Sequence, residues 1–248
     1  MNEYQQIISM IAMTMGVAWA SGINLYATIV VLGFCGASGN LTLPDSLLVL
    51  QNPMVIAAAG LMYSVEFFAD KTPGVDTGWD AIHTFIRIPA GAMLAASAVG
   101  DVTPALQVTA GILGGSLTGI THAGKAGSRV LINTSPEPFS NWIASFGEDI
   151  IVIVGLWSAL YHPLVFLVLL TLFIILLLWF LPKLWRGIKL LYTKIAGWLG
   201  LTKNNTSTST EVAYDDVLDQ LAKLKKLLDD GMISRQEFEK RKQQILYG

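Results

Sequence analysis

Residues 164–182 have the sequence LVFLVLLTLFIILLLWFLP, in which no side chain is charged. The hydrocarbon core of a bilayer is about 30 Å thick, and a helix needs about 20 apolar residues to cross it. This run therefore predicts a membrane-spanning helix. The whole chain supports the same class, because 53% of its residues are hydrophobic and 14% are charged, whereas an ordinary soluble domain carries about 25% charged residues.

Further apolar stretches precede this run along the chain. They are shorter or richer in Gly, Ala and Ser, which is typical of helices that pack inside a membrane bundle. The sequence predicts an all-α transmembrane domain over residues 1–182, with six spans at 4–36, 53–70, 82–99, 105–121, 146–161 and 164–182.

The basic residues lie on one side of this pattern. Lys71 follows the second span, Arg87 lies in the first turns of the third, and Lys125 and Arg129 follow the fourth. Another basic group begins at Lys183, after the sixth span. Since Lys and Arg collect in cytoplasmic loops, the pattern predicts a bacterial inner-membrane protein with both termini in the cytoplasm.

The part of the chain beyond the sixth span has three segments. Residues 183–201 alternate bulky apolar and basic side chains, which predicts an amphipathic helix at the lipid headgroups; a plain continuation of the sixth span is the alternative. Residues 202–213 form a polar linker. Residues 214–248 predict a cytoplasmic helical hairpin that breaks at Gly231 and resumes after Ser234.

The hairpin segment LDQLAKLKKLLDDGMISRQEFEKRKQQIL resembles the short C-terminal domain found at the ends of many bacterial membrane proteins. Two short helices bury too little apolar surface to be stable alone, so we expect them to form a homo-oligomer or to bind a protein partner. The resemblance implies an oligomerisation or docking module rather than a catalytic one. The lipid bilayer is the other expected partner, and nucleic acid is not expected.

Two short segments suggest an inverted repeat. The first span contains ASGINLY at 20–26, and the fourth ends in LTGITHA at 117–123. A shift of three spans reverses direction through the membrane, so the halves would be inverted three-span units with a substrate site where Gly interrupts the helices. The Gly-rich stretch 114–128 predicts such a break in the fourth span. Chance likeness between helices rich in small residues is the alternative.

Charged side chains concentrate on two helix faces around the second connection. They are Glu66, Asp70, Asp76, Asp80, His83 and Arg87. A charge at the bilayer centre costs about 3 kcal/mol or more, so we expect the deep Glu66 to pair with Arg87. Three interpretations remain open: a salt-bridged hairpin, a cation or proton site, or catalysis with His83 as general base.

A second polar group follows the Gly-rich part of the fourth span. It consists of His122, Lys125 and Arg129, with Glu137, Glu148 and Asp149 further along. Freed backbone amides beside the two cations would suit an anion, and a flexible inner loop is the alternative. The small polar residues of the first and fourth spans complete the candidate polar site: Ser21, Asn24, Thr118 and Thr121. The sequence commits to no catalytic residue or metal ligand set, and any cofactor is unknown.

The run EFFADKTPGVDTGWDAIHTFIRIPAGA at 66–92, with SGINLYAT before it and THAGKAGSR after it, resembles an uncharacterised bacterial membrane family, domain of unknown function 4126. The likeness covers about residues 8–180, and it implies a polytopic inner-membrane protein without naming a substrate. The leading hypothesis is passage of a small solute or ion through a site at the broken helices. A non-transporting scaffold that recruits partners through the hairpin is one alternative, and an intramembrane enzyme acting on lipid headgroups is the other.

Overall fold

The computed structural model describes residues 2–72, 74–134, 138–198 and 220–247. All the regular secondary structure of these residues is helical, which confirms the all-α part of the predicted fold. The chain divides into two compact units, Met1–Leu190 and Leu191–Gly248.

Six long helices form the membrane domain, and a short 3-10 helix at Asp45–Gln51 precedes the second of them. Two of the long helices begin well before the spans predicted at 82 and 146, because they open with polar residues that the body buries. The helices are α1 (Glu3–Ala37), α2 (Pro53–Ala69), α3 (Val75–Ala98), α4 (Pro104–Ile132), α5 (Pro138–Tyr161) and α6 (Pro163–Trp198).

Four helices in the described residues are long and apolar enough to cross a membrane, namely α1, α3, α5 and α6. The 3-10 helix and α2 qualify only together, and a bend of 68° separates them. Although α4 is 29 residues long, its Gly and polar residues keep it below the hydropathy of a span. The chain therefore has the helices of a membrane protein, while the count of six spans stays a prediction.

Local signals explain where the helices around the charged turn begin. At the start of α2, Asn52 accepts a hydrogen bond from the Met54 amide at 2.8 Å, and Pro53 occupies the first helical position, where its missing N–H costs nothing. At the start of α3, Gly74 has φ of 84°. A left-handed residue turns the chain sharply, and glycine adopts that conformation without a Cβ clash.

The centre of the domain is α1, which is buried over most of its length and packs on α2, α3, α4 and α5. Close approach to α4 depends on Gly22, since a Cβ atom there would lie 2.6 Å from the Thr118 carbonyl oxygen. Gly91 of α3 and Gly114 of α4 make similar close contacts, with Thr118 and Ala95. Small residues thus let three helices meet backbone to backbone.

The same contacts correct the predicted break in the fourth span. Helix α4 is regular throughout the Gly-rich stretch 114–128. Its glycines serve close packing: Gly115 faces Ala92, and a Cβ at Gly124 would lie 2.6 Å from a Leu177 methyl group. Glycine content was the wrong signal here, because neighbouring helices in a membrane stabilise a regular helix that glycine weakens in isolation.

Helices α2 and α3 differ from the tight hairpin that the sequence suggests. They touch little, and α3 packs chiefly on α4 and α1. The charged faces of the two helices meet through long side chains rather than through helix packing.

The basic residues used for the topology prediction do not lie in open loops. Helix α4 continues to Ile132, so Lys125 and Arg129 lie inside it, and both are buried. Arg87 lies in the middle of α3 and is fully buried. Among the basic residues whose burial is described, Lys183, Arg186 and Lys189 are exposed, so the topology argument rests mainly on these three.

Helix α6 continues through Pro182, where the span was predicted to end, as far as Trp198. The interfacial position of 183–201 stays a prediction, and residues 199–201 lie outside the described part of the chain, as does the predicted linker 202–213.

The second unit contains a helix pair, α7 at 220–229 and α8 (Arg235–Tyr247). Gly231 has φ of 70°, as predicted for a left-handed cap, and the Met232 amide bonds to the Leu227 carbonyl at 2.9 Å. The Ser234 hydroxyl accepts the Glu237 amide at 3.3 Å, which opens α8 as predicted.

Candidate functional site

Helix α1 is broken at Asn24, whose backbone angles of φ −146° and ψ 99° are not helical. The Ala27 amide, which would otherwise bond to the Ile23 carbonyl, donates instead to Asn24 Oδ1 at 2.9 Å. Thr28 Oγ1 donates to the Asn24 carbonyl at 2.8 Å. The Ile23 carbonyl therefore loses its helical partner in the middle of the most buried helix.

Two cations from other helices donate hydrogen bonds to the freed Ile23 carbonyl. Arg87 Nη1 and Lys125 Nζ each donate to the Ile23 oxygen at 3.1 Å. Both cations are buried, and the Arg87 side chain has 0% exposure. Buried charges need opposite charges and hydrogen bonds around them, so the surroundings of these two cations define the site.

Carboxylates from α2 and its C-terminal cap supply the opposite charge. Glu66 Oε1 accepts from Arg87 Nη2, and it lies 3.2 Å from Lys125 Nζ. Lys125 also donates to Asp70 Oδ2 at 2.8 Å. The expected pairing of Glu66 with Arg87 is confirmed, although packing on α1 and α4, rather than a tight hairpin, brings them together.

Arg129 extends the cluster toward α5. It donates to Glu148 Oε2 at 2.7 Å and to the Asp70 and Asn141 carbonyls at 3.1 Å each. Glu148 is the member with the greatest exposure, at 18% of its side chain. We call the set connected by these ion pairs the buried charge network: Glu66, Asp70, Asp80, Arg87, Lys125, Arg129 and Glu148.

His122 lies at one end of the network in a defined tautomer. Its Nδ1 is 3.1 Å from Arg87 Nη1, which can only donate, so Nδ1 accepts. Its Nε2 therefore carries the hydrogen and faces the Asp80 carbonyl at 3.1 Å and Thr84 Oγ1 at 2.8 Å. His122 is a neutral connector between α3 and α4.

His83 is also oriented by two hydrogen bonds, away from the carboxylates. Its Nδ1 lies 2.9 Å from the Trp79 carbonyl, and its Nε2 lies 3.1 Å from the Tyr26 hydroxyl. The ring stacks on Trp79 at a centroid distance of 4.1 Å. The catalytic interpretation calls for a carboxylate bonded to His83, and these two bonds use both ring nitrogens.

Asp76 lies apart from the network and joins the ends of three helices. It accepts the Gly74 amide at 2.9 Å and the Asn133 side-chain amide at 2.7 Å. Asn141 of α5 donates to Asn133 Oδ1 at 2.7 Å. With these bonds satisfied, Asp76 is explained as a structural connector between α3, α4 and α5.

Lys71, in the turn after α2, is held by aromatic rings. Its Nζ lies 2.9 Å from the Phe67 ring centroid and 4.5 Å from that of Phe146. It also donates to Ser145 Oγ at 3.0 Å. Cation–π contact partly replaces water around the ammonium, and burial lowers the pKa of Lys71.

The small polar candidates lie along the α1–α4 contact. Ser21 Oγ donates to the Val17 carbonyl at 2.7 Å, within its own helix. Thr118 Oγ1 donates across to the Ala18 carbonyl at 2.8 Å, and Thr121 Oγ1 is buried without a hydrogen bond. Ser21 and Thr118 therefore contribute to helix packing.

Sequence reasoning identified most of the network but left out several partners. Glu148 and Asp149 were noted in the sequence without being chosen as candidates, yet Glu148 pairs with Arg129, and Asp149 Oδ1 accepts from Asn24 at 3.2 Å. The sequence feature that could have identified them is a pair of adjacent carboxylates inside a predicted apolar span. Glu137 lies outside the described residues.

The described residues contain no group of three or more His, Cys, Asp or Glu placed to hold a metal ion. Four cavities of the membrane domain have largely apolar linings, and none is lined by Asn24 or by a member of the network. One of them, of about 370 Å³ between α1 and α2, is lined by Tyr26, the partner of His83. The side chains of the network other than Glu148 are at most 5% exposed, so these charges are closed inside the packed helices.

Comparison with known proteins places the chain in a family. A search of curated proteins and of solved structures gave no match. The model of the Short C-terminal domain matches residues 219–246. The model of the family described as Domain of unknown function (DUF4126) matches residues 11–183, which include every helix that carries the site. The chain belongs to the DUF4126 family.

Proposed function

We propose that the membrane domain moves a small ion across the bilayer, and that the ion's site is the buried charge network at the break in α1. The observation that carries the proposal is the freed Ile23 carbonyl at Asn24, which meets two buried cations and their carboxylates. Interrupted helices with freed backbone groups at membrane depth are characteristic of ion and substrate sites in transporters.

The energetic cost of the network supports a function beyond stability. Each charge near the bilayer centre costs about 3 kcal/mol or more, and well-packed apolar residues often replace a buried ion pair without loss of stability. Burying seven ionisable side chains at one place therefore costs free energy that packing alone does not require. Glu148, at 18% exposure, is the most accessible member and suits one end of an ion pathway.

The proposal differs from the sequence-based hypothesis in its site. The proposed site depends on a single helix break, the one in α1, because α4 is a regular helix. The proposal keeps six spans in a bacterial inner membrane and does not depend on an inverted repeat.

Flux into liposomes tests the proposal directly. Purified protein is reconstituted, a membrane potential is imposed, and uptake of H⁺, Na⁺, K⁺ and Cl⁻ is followed in turn. One ion is expected to move faster than in empty liposomes, and Asn24→Ala is expected to lower that rate at least tenfold by restoring the helical bond to Ile23. Asn40→Ala, at an exposed asparagine, is the matched control. If none of the four ions moves above background, the proposal is wrong.

Orientation is part of the same proposal. The exposed Lys183, Arg186 and Lys189 would place the end of α6 in the cytoplasm. Reporter fusions at 45, 102 and 162 are expected to be periplasmic, and those at 75, 135 and 210 cytoplasmic. A periplasmic signal at 210 would contradict six spans with cytoplasmic termini.

A scaffold remains the second candidate because of the C-terminal helix pair. Leu224 is buried, whereas Leu228, Phe238 and Ile245 are only half-buried in the described part of this unit. An incompletely covered apolar face suits self-association or a protein partner. Scaffold and ion transport are compatible, since they use different units of the chain.

A further inference from the structure

The two cation nitrogens paired with Asp80, Lys125 Nζ and Arg87 Nη1, give all their hydrogens to other acceptors. Lys125 Nζ has three hydrogens, and they are used by the Ile23 carbonyl, Glu66 and Asp70 at 3.1, 3.2 and 2.8 Å. Asp80 Oδ1 lies 3.9 Å from this nitrogen, which is beyond hydrogen-bond distance.

At Arg87 the same holds for Nη1, the nitrogen paired with Asp80, whereas Arg87 Nε is buried without a hydrogen-bond partner. The two hydrogens of its Nη1 point to the Ile23 carbonyl and to His122 Nδ1, each at 3.1 Å. Asp80 Oδ1 is 3.4 Å from this nitrogen and receives no hydrogen bond. Both carboxyl oxygens of Asp80 are buried without a hydrogen bond, and the residue has 0% exposure.

The charge balance of the network leaves one carboxylate in excess. It contains four carboxyl groups and three cations, so full ionisation gives a net charge of −1. Burying an uncompensated carboxylate is so unfavourable that the group takes up a proton instead. Glu66 and Asp70 hold direct bonds from cations, and Glu148 is partly exposed, so the excess falls on Asp80.

Surrounding groups do not supply the missing positive charge. His122 is neutral, because its Nδ1 accepts from Arg87, and His83 bonds to the Trp79 carbonyl and the Tyr26 hydroxyl rather than to Asp80. Lys71 and Asp149 add one charge of each sign at the edge, and Asp76, near the start of α3, would add only negative charge.

We propose that Asp80 is the proton-binding carboxyl of the buried charge network, and that the ion moved by the membrane domain is H⁺. This rests on the proposed function for the transport step, but the binding step stands on the geometry of Asp80 alone. The step is a simple ionisation, in which the Asp80 carboxylic acid releases H⁺ and becomes the carboxylate, with no redox partner. Rearrangement of Lys125 or Arg87 toward Asp80 would stabilise that carboxylate and drive release.

Infrared spectroscopy of the purified full-length protein tests the binding step without transport. A protonated carboxyl gives a C=O stretching band that shifts in D₂O and that a carboxylate lacks. The wild type is expected to show one such band, from a buried carboxyl group, at neutral pH. Asp80→Asn is expected to remove this band. Asp101→Asn, at an exposed aspartate, should leave it unchanged. Asp80→Glu provides a second variant that retains the acid and is expected to move the band rather than abolish it.

The outcomes separate the two proposals. No band in the wild type, or a band that persists in Asp80→Asn, would overturn the assignment of the proton to Asp80. A band assigned to Asp80, in a protein whose liposomes take up no H⁺, would support proton binding and refute transport. Uptake of Na⁺ or K⁺ that continues in Asp80→Asn, without H⁺ uptake, would refute the identity of the ion.

Discussion

The Glu66–Arg87 pair offers the sharpest test of how the network is held together. Glu66→Gln keeps the shape of the side chain and removes its charge. Both cations that contact Glu66 Oε1, Arg87 and Lys125, then lose a carboxylate partner. Removing one member of a buried ion pair costs about 3–5 kcal/mol, so we expect the free energy of unfolding to fall by about that amount.

Arg87→Gln should have a comparable effect by another route. It leaves Glu66 with Lys125 at 3.2 Å, which limits the electrostatic loss. However, it also removes the bonds from Nη1 to Ile23 and His122, each worth about 1 kcal/mol. In the double variant neither residue is charged, so neither is left without its partner. The decrease in its free energy of unfolding should therefore be smaller than the sum of the two single decreases by about 1–3 kcal/mol.

Reversible unfolding in mixed micelles measures the four stabilities of this cycle. Glu3→Gln and Arg186→Gln, at exposed positions, form a control cycle in which coupling should be absent. Additivity of the Glu66 and Arg87 variants within about 0.5 kcal/mol would show that the two charges do not interact and would refute the network as a stabilised unit.

Three other outcomes follow from the structure. Gly22→Ala should destabilise the body by about 1–3 kcal/mol, because its Cβ would meet the Thr118 carbonyl at 2.6 Å, whereas Gly60→Ala, with open space around it, should be neutral in the same unfolding assay. Lys71→Met should lower the melting temperature, since it removes a buried ammonium held by two aromatic rings and Ser145; an unchanged temperature would show that these contacts add no stability. Deleting 202–248 should leave the melting temperature of the body unchanged and reduce self-association or partner binding, and identical size and partners after deletion would refute the scaffold role.

Much of the site was predictable because a charge inside a span has few permitted partners. The spacing of Asp76, Asp80, His83 and Arg87 placed all four on one face of α3, and all four are buried. Depth identified Glu66 as the partner of Arg87. These inferences depend on helical periodicity and on the cost of an unpaired charge, which hold whatever the neighbouring helices are.

The failures concern packing between helices, which one sequence does not specify. The glycine content of α4 would be the same whether its glycines broke the helix or let another helix pack closely. Only the contact of Gly114 with Ala95 shows the second role. Asp76 and Asp80 are four positions apart on the same face, yet Asp76 is satisfied by Asn133 and Asp80 by no side chain. That difference depends on α4 and could not be read from α3.

The break at Asn24 accounts for much of the network's composition. A carbonyl freed at membrane depth needs a donor, because lipid offers none, and the Ile23 carbonyl receives Arg87 and Lys125. Two buried cations need carboxylates in turn, which Glu66 and Asp70 provide. Restoring the helix by Asn24→Ala would occupy the Ile23 carbonyl and release one hydrogen of Arg87 Nη1 and one of Lys125 Nζ. Those hydrogens could then reach Asp80, at 3.4 Å from Arg87 and 3.9 Å from Lys125. The carboxyl would ionise, so the infrared band assigned to Asp80 should disappear in Asn24→Ala although Asp80 itself is unchanged.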